Sequence, residues 1–426
     1  MTKDRDFKKL VRERMARTGE SYAAARAQLA RDESEPAGKH AETAALVRLL
    51  VHAGITGPAR AAPTEALVLG LGGGIGAASF TFEYKGHPPT FYVATRCHPQ
   101  YAYDTDFVRA AAERLGAASS IAESSSPTAA VKRLRDQLAK GPAMVWVDAG
   151  GLPWARKLGG AADLGAMPHV IVVERIEDEL AIVRDTPGRP FAIALPALAA
   201  ARKRLRAGKH RVLGLARAEA PDWRTAFRDA IAACAAGLRG KTKIKGPMAK
   251  NFGVPGLRRW ATALVDPKDK KSWTRVFTPQ YAASNLAWTR HWIEHAGTGG
   301  GGFRPMYAEF LEVAATALPA LKPIARDYRV LGTQWSSFAT ALLPDRVPRL
   351  AAIRRAQDGR HTAYLAGDLD AMRAAEERST AAIAAAASQP LEAEDLRAHY
   401  AELGTRLSAI VDAEEACAAR LATATT

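Results

Sequence analysis

Two side chains carry the clearest chemistry in this sequence. His169 stands in the apolar run Pro168-His169-Val170-Ile171-Val172-Val173, and Asp185 closes the next apolar run, Val183-Arg184-Asp185. A hairpin over residues 169–185 places an imidazole and a carboxylate on neighbouring strands. A carboxylate that accepts the ring N–H fixes the tautomer and stabilises imidazolium, which is what a general base requires. Upstream, Gly38-Lys39-His40-Ala41-Glu42-Thr43 opens an apolar helix. A helix start, then a His on a strand, then an Asp ending the next strand is the chain order of a Cys-His-Asp thiol site. There the nucleophile sits at the helix N-terminus, where backbone amides and the helix dipole favour thiolate. Position 41 is Ala. The frame is present and its nucleophile is missing. A plainer reading has His169 capping a strand, Asp185 opening the turn Asp185-Thr186-Pro187-Gly188, and Glu42 answering the helix dipole alone.

Two glycine clusters are the next candidates. Gly70-Leu71-Gly72-Gly73-Gly74-Ile75-Gly76 could bring amides, those of Gly73 and Gly74 among them, against an oxyanion, or could simply allow close backbone packing. It lacks the Lys-Ser/Thr of a phosphate loop and the spacing of a dinucleotide fingerprint. Gly297-Thr298-Gly299-Gly300-Gly301-Gly302 precedes Arg304 and Tyr307, one turn apart at a helix start, which reads as an anion site or as architecture that only glycine permits. Cys97 lies beside His98, but adjacent strand residues point to opposite faces, so the pair makes a poor nucleophile. No metal-ligand spacing is visible.

The elements that would position these groups follow from periodicity. Residues 3–30 read as a basic helical appendage and 32–38 as a polar linker. Helices are expected at 43–52, 104–115 and 127–139, and strands at 80–84, 90–95, 119–126, 143–148, 169–175 and 180–185. From about residue 221 onward nearly every periodic segment is helical, apart from the 240–256 connector and the second glycine loop. The order is α+β followed by all-α.

At 426 residues the chain exceeds the usual size of one core, and its 48% apolar and 24% charged content is that of an ordinary globular protein. The opening residues contain no signal-type apolar region and no stretch has the length of a membrane span. Three scattered cysteines, Cys97, Cys234 and Cys417, suit a reducing, cytoplasmic location. The net charge of +16 is concentrated: residues 202–275 hold 20 Lys and Arg against 5 Asp and Glu. That segment, with its loop Arg239-Gly240-Lys241-Thr242-Lys243-Ile244-Lys245-Gly246, reads as a solvated connector or as a dock for an acidic partner or phosphate. It lacks the aromatic interleaving of nucleic-acid surfaces, which argues against that partner.

Together these residues resemble the butirosin biosynthesis protein H family. The stretches that carry the resemblance are 39–50, the glycine run 70–76 with 80–84, Val147-Asp148 with Leu152-Pro153, and His169 with Asp185. The later part resembles the uncharacterised helical domain that often follows, through Asn251-Phe252-Gly253, Lys271-Ser272-Trp273 and 297–311. The resemblance implies a papain-like, double-glycine-peptidase-like α+β domain over 37–218, after an appendage over 1–36. An all-α domain over 219–426 with a basic connector at 239–256 follows. It also implies transfer of an acyl or aminoacyl group from a carrier-protein thioester to a small-molecule amine. The donor is then an acyl-phosphopantetheine on an acidic acyl carrier protein, with no other cofactor and no membrane partner. His169 becomes the base and Asp185 its orienter, Ala41 with His40 marks the nucleophile position, and Glu42, Gly73, Gly74, Glu83, Tyr84, Asp148, Arg304 and Tyr307 line the pocket. The family's His-Cys pair reads His40-Ala41 here. Two expectations therefore stand: acyl transfer without a covalent intermediate, or a catalytically silent protein that keeps the pocket to bind a small molecule or peptide.

Overall fold

The computed structural model of the chain describes residues 11–16, 19, 21, 37–96, 105–154, 168–188, 190–242 and 244–425. The expected appendage over 3–30 and the Cys97-His98 pair fall largely or wholly outside the described residues. The chain forms two compact units that interleave in sequence. Unit 1 comprises Met1–Ala53, Ser119–Leu215 and Gly359–Glu376; unit 2 comprises Gly54–Ala118, Ala216–Asp358 and Glu377–Thr426.

Strands β1 (Ala78–Phe82) and β2 (Thr90–Ala94) pair with each other and belong to unit 2. The remaining described strands are β3 (Ala117–Ala122), β4 (Ala143–Asp148), β5 (Pro168–Glu177), β6 (Leu180–Arg184), β7 (Pro190–Ala194) and β8 (Val212–Arg217). They form a six-stranded sheet in the order β3-β8-β4-β5-β6-β7, with β4, β5, β6 and β7 successively antiparallel. β7, β8 and the helix Leu195–Arg204 are elements that the sequence periodicity does not predict.

Period-two alternation builds the core of unit 1. Val145 and Val147 of β4, Ile171 and Val173 of β5, Val183 of β6, and Phe191 and Ile193 of β7 share one cluster. Leu134 of the helix Pro127–Leu138, and Leu198 and Ala201 of the helix Leu195–Arg204, join it. The alternate residues Met144, Trp146, Val170 and Val172 are buried as well, so the central strands are covered on both faces and their β-branched runs are continuous. Each such side chain contributes about 1.5–3 kcal/mol when fully buried, which makes the strands a rigid platform for whatever they carry. The helix Ala41–His52 packs on β5 and β4.

Among the described residues of unit 2 the regular elements are helices, apart from the β1–β2 ribbon and the ends of β3 and β8. In the helix Leu321–Leu342 the buried residues Ile324, Tyr328, Leu331, Trp335, Phe338 and Leu342 recur at three and four, the stripe of a core-facing helix. Trp335 and Phe338 meet Trp260 and, through it, Trp273, while Tyr328 meets Tyr307. The first glycine run lies here. A Cβ on Gly70 would fall 2.0 Å from the Phe310 ring, and one on Gly74, whose φ is 75°, would meet Tyr307 and Cys234. Small residues let the helix Glu65–Leu71 end directly against the helix Arg304–Ala314.

Candidate functional site

The sheet register decides which side chains can meet. Val147 pairs with His169, so His169 rises from the core-facing side of β5 with Val147 and Ile171. Arg184 pairs with Val172; one step beyond, Asp185 falls opposite Ile171, on the face of His169 and two residues along. The result is a contact of 2.8 Å between His169 Nε2 and Asp185 Oδ1. Asp185 Oδ1 also accepts from the Thr186 amide at 2.6 Å and the Thr186 hydroxyl at 3.3 Å. Its Oδ2 accepts from the Trp154 indole N–H at 2.9 Å. Trp154 is held in turn by stacking on Phe191, with ring centroids 4.4 Å apart. Arg184 steadies the corner, donating to Glu174 at 2.9 Å and to the Gly188 carbonyl at 2.6 Å.

Burial alone would push the Asp185 carboxyl up. The charge of His169, its hydrogen bond, and those from Trp154 and the Thr186 amide outweigh burial and bring the group down to about 2. Burial alone would pull His169 down, yet the Asp185 charge and hydrogen bond win, and the imidazole is raised above 6.5. The pair is an imidazole with an ionised carboxylate, and Nε2 is the bonded nitrogen. Among the described residues no hydrogen bond is made at Nδ1. Nδ1 is therefore the atom that can take a proton from a substrate, with Asp185 stabilising the imidazolium that forms.

These shifts have a stability consequence. The raised His169 contributes stability fully below pH 6.5 and loses it as pH climbs through its higher folded value. The lowered Asp185 contributes fully above 3.8 and loses it as pH falls toward about 2. We expect a stability plateau between about pH 4 and 6.5. An NMR titration is expected to place the His169 imidazole above its ordinary value. In Asp185→Asn only burial remains, and the value should fall below the ordinary one. An unchanged titration in that variant would contradict the pairing.

The helix N-terminus lies in the same unit. The Gly38 amide donates to the Thr186 carbonyl at 2.7 Å, tying the chain three residues before Ala41 to the residue after Asp185. His40 is the N-cap: its Nδ1 accepts from the Thr43 amide at 3.4 Å, a task usually given to Ser, Thr, Asp or Asn. Its Nε2 is 4.0 Å from buried Glu42. Ala41 is the first helical residue, at the positive end of the dipole.

Residues 40–186 match the family described as Butirosin biosynthesis protein H, N-terminal, and residues 196–383 match a Domain of unknown function (DUF4872). The chain belongs to the butirosin biosynthesis protein H-like family. No curated protein matches it. The matched N-terminal segment starts at His40 and stops at Thr186, so it spans the helix cap, Trp154, His169 and Asp185. The α+β layout with a helical C-terminal region is the one expected for this family, and no described helix is long and apolar enough to cross a membrane.

Several pocket residues expected from the family resemblance have other work. Asp148 is buried, receives the Gly150 amide at 3.3 Å and pairs with Arg204 at 2.5 Å. The glycine run supplies no oxyanion hole. The amides of Gly72, Gly73 and Gly74 donate to Val68, Gly70 and Leu69 carbonyls, closing the helix end, and that of Gly76 donates to Thr95. Arg304 and Tyr307 are not a substrate site either, since both are wholly buried. Arg304 bonds Glu414 at 2.6 Å and the carbonyls of Thr95, Gly302 and Gly76 at 2.6–3.2 Å; Tyr307 packs edge-on against Tyr328. The second glycine run serves this packing: Gly299 to Gly302 all have positive φ, and a Cβ on Gly301 would strike the Gly332 backbone. Glu83 pairs with Lys271 on the surface of unit 2, and Tyr84 is exposed there.

Trp154 is the site residue that sequence reasoning missed. Its signal was present: a buried indole N–H must find an acceptor, and a carboxylate is the strongest neutral-pH candidate.

Proposed function

We propose that this protein transfers an acyl or aminoacyl group from a carrier-bound thioester to a small-molecule amine, in specialised metabolism. His169 acts as the general base in a direct, non-covalent attack. The observation that supports this most is the 2.8 Å pairing of Nε2 with Asp185, which leaves Nδ1 as the proton acceptor. The amine nitrogen attacks the thioester carbonyl and gives its proton to Nδ1. The tetrahedral oxyanion collapses with cleavage of the C–S bond, and the proton passes to the leaving thiolate, giving amide and free thiol. The positive end of the helix Ala41–His52 suits the oxyanion electrostatically. An acidic carrier protein is the donor this reading names, and the protein works without a metal or a further cofactor.

The second reading is a binding protein that keeps the pocket without turnover, and the methyl of Ala41 favours it because a methyl cannot attack a thioester. Ala41→Cys tests the position itself. Mixed with acyl-pantetheine thioesters and followed by intact-mass spectrometry, this variant is expected to gain the mass of one acyl group. Ala41→Cys combined with His169→Ala is expected to gain it at least a hundredfold more slowly, within the ~10²–10⁴ range of general-base assistance. No acylation of Ala41→Cys would remove position 41 from the chemistry.

A further inference from the structure

A cavity of about 630 Å³ in unit 1, away from the His169–Asp185 pair in its lining, is formed around the last turn of the helix Leu195–Arg204 and the loop that follows. Arg202, Lys203, Arg204, Arg206, Lys209 and His210 line it, Ser125 adds a hydroxyl, and no carboxylate is among its described lining residues. Arg204 is paired with Asp148, and Lys209 stands 3.8 Å from Glu123. Among the described residues Arg202, Lys203 and Arg206 have no carboxylate partner.

Arg202 is the telling member. Its side chain is 2% exposed, yet it is met only by the carbonyls of His210 and Arg211, both bonded through Nη2. Its Nε is buried without a hydrogen-bond partner. A guanidinium this deep ordinarily has a counter-ion, because removing a charge from water is costly unless it is compensated. Burial lowers Arg202 to about 10, and His210 is pushed down by burial and then by Arg202 and Lys203, a sign of the positive field in the cavity. Lys209 and His210 hold left-handed φ values of 42° and 48°, an unfavourable backbone for side chains that Arg202 braces through the His210 carbonyl. The negative end of the helix dipole favours Arg202, Lys203 and Arg204, all in the last turn, but it does not account for burying Arg202 without a carboxylate partner, or for Arg206 and Lys209 beyond the helix.

We propose that this cavity binds the di- or polyphosphate group of a small molecule. The three lining cations without a carboxylate partner, Arg202, Lys203 and Arg206, exceed what a single carboxylate on a ligand could balance. Arg and Lys are the side chains that hold phosphoryl oxygens, and the volume falls within the ~300–1,000 Å³ of small-molecule sites. The inference stands apart from the acyl-transfer reading, since it is read out by binding and not by turnover.

The test is calorimetry and thermal melting of the full chain with inorganic pyrophosphate and with ADP, at about 0.15 M salt to screen diffuse attraction. Both ligands are expected to bind and to raise Tm. The double variant Lys203→Ala/Arg206→Ala, which changes exposed side chains only, should bind at least tenfold more weakly while its own Tm without ligand is unchanged. Equal binding of the two ligands assigns recognition to the phosphates alone; tighter ADP binding adds contacts to the ester. Absence of binding, or binding undiminished in the double variant, overturns the proposal.

Discussion

Asp185→Ala is expected to destabilise unit 1 by about 2–5 kcal/mol and to abolish the site's chemistry. The carboxylate accepts from His169, Trp154 and both donors of Thr186, and it lies in the interior. Its removal strands the Trp154 indole N–H and the Thr186 amide, and each buried donor left unsatisfied costs about 1–3 kcal/mol. His169 escapes by losing its proton, so the full penalty of an isolated buried cation does not apply. Asp185→Asn separates the two effects. The amide keeps the shape and can still accept at one atom, but it offers N–H where Trp154 or His169 needs an acceptor. The Asn variant should lose about half the stability that the Ala variant loses, and nearly all of the rate. Urea denaturation followed by tryptophan fluorescence measures the first quantity. A neutral Asp185→Ala would mean that the pair is loosely held.

Glu414→Ala is expected to be the most damaging single substitution in unit 2, at about 3–5 kcal/mol. Arg304 and Glu414 are both wholly buried and meet at 2.6 Å, and Trp335 donates to the same carboxylate oxygen at 2.8 Å. Breaking a buried pair by deleting one partner leaves the other charge without compensation, and this is where such pairs show their largest effects. Replacing both partners with apolar residues, as in Arg304→Met/Glu414→Leu, removes that charge. The double variant should therefore be more stable than Glu414→Ala, with a coupling energy of at least about 1 kcal/mol in a double-mutant cycle. Additive losses would show that the two groups act independently.

The neighbourhood of His169 and Asp185 was legible in the sequence because both lie on one short-turned hairpin. Their shared face was not. Counted from the turn, where Glu177 pairs with Leu180, Asp185 would fall opposite Val172; a register shift between Val173 and Arg175 is what moves it opposite Ile171, onto the face of His169. Arg304 was misread because its partner is distant in sequence. A glycine cluster before an arginine at a helix start looks like an anion site, but Glu414, 110 residues later, neutralises it. No periodicity reports such a contact. The run 70–76 was ambiguous in the same way: its amides could have faced a ligand, and only the fold shows them bonded to Val68, Gly70, Leu69 and Thr95. Short β7, opening on Pro190, and β8, interrupted by Gly214 and ending on Arg217, carry weak strand signals. Both are strands because β6 and β4 offer them edges. The basic excess after residue 202 was visible as composition. Its division into surface pairs, such as Arg258 with Asp412 and Glu415, and the acid-free cavity around Arg202 needed the structure.

The central claim is that His169 drives acyl transfer without a thiol at position 41. The most direct measurement incubates the protein as it stands with acyl-pantetheine and carrier-bound thioesters and a mixture of amine acceptors, with amide products followed by mass spectrometry. The account predicts amide formation with no acyl adduct on the protein, rising with pH through the raised His169 value and lost in His169→Ala. Amide formation equal in His169→Ala, or none from the protein with any donor, would contradict it and leave the binding protein as the better description.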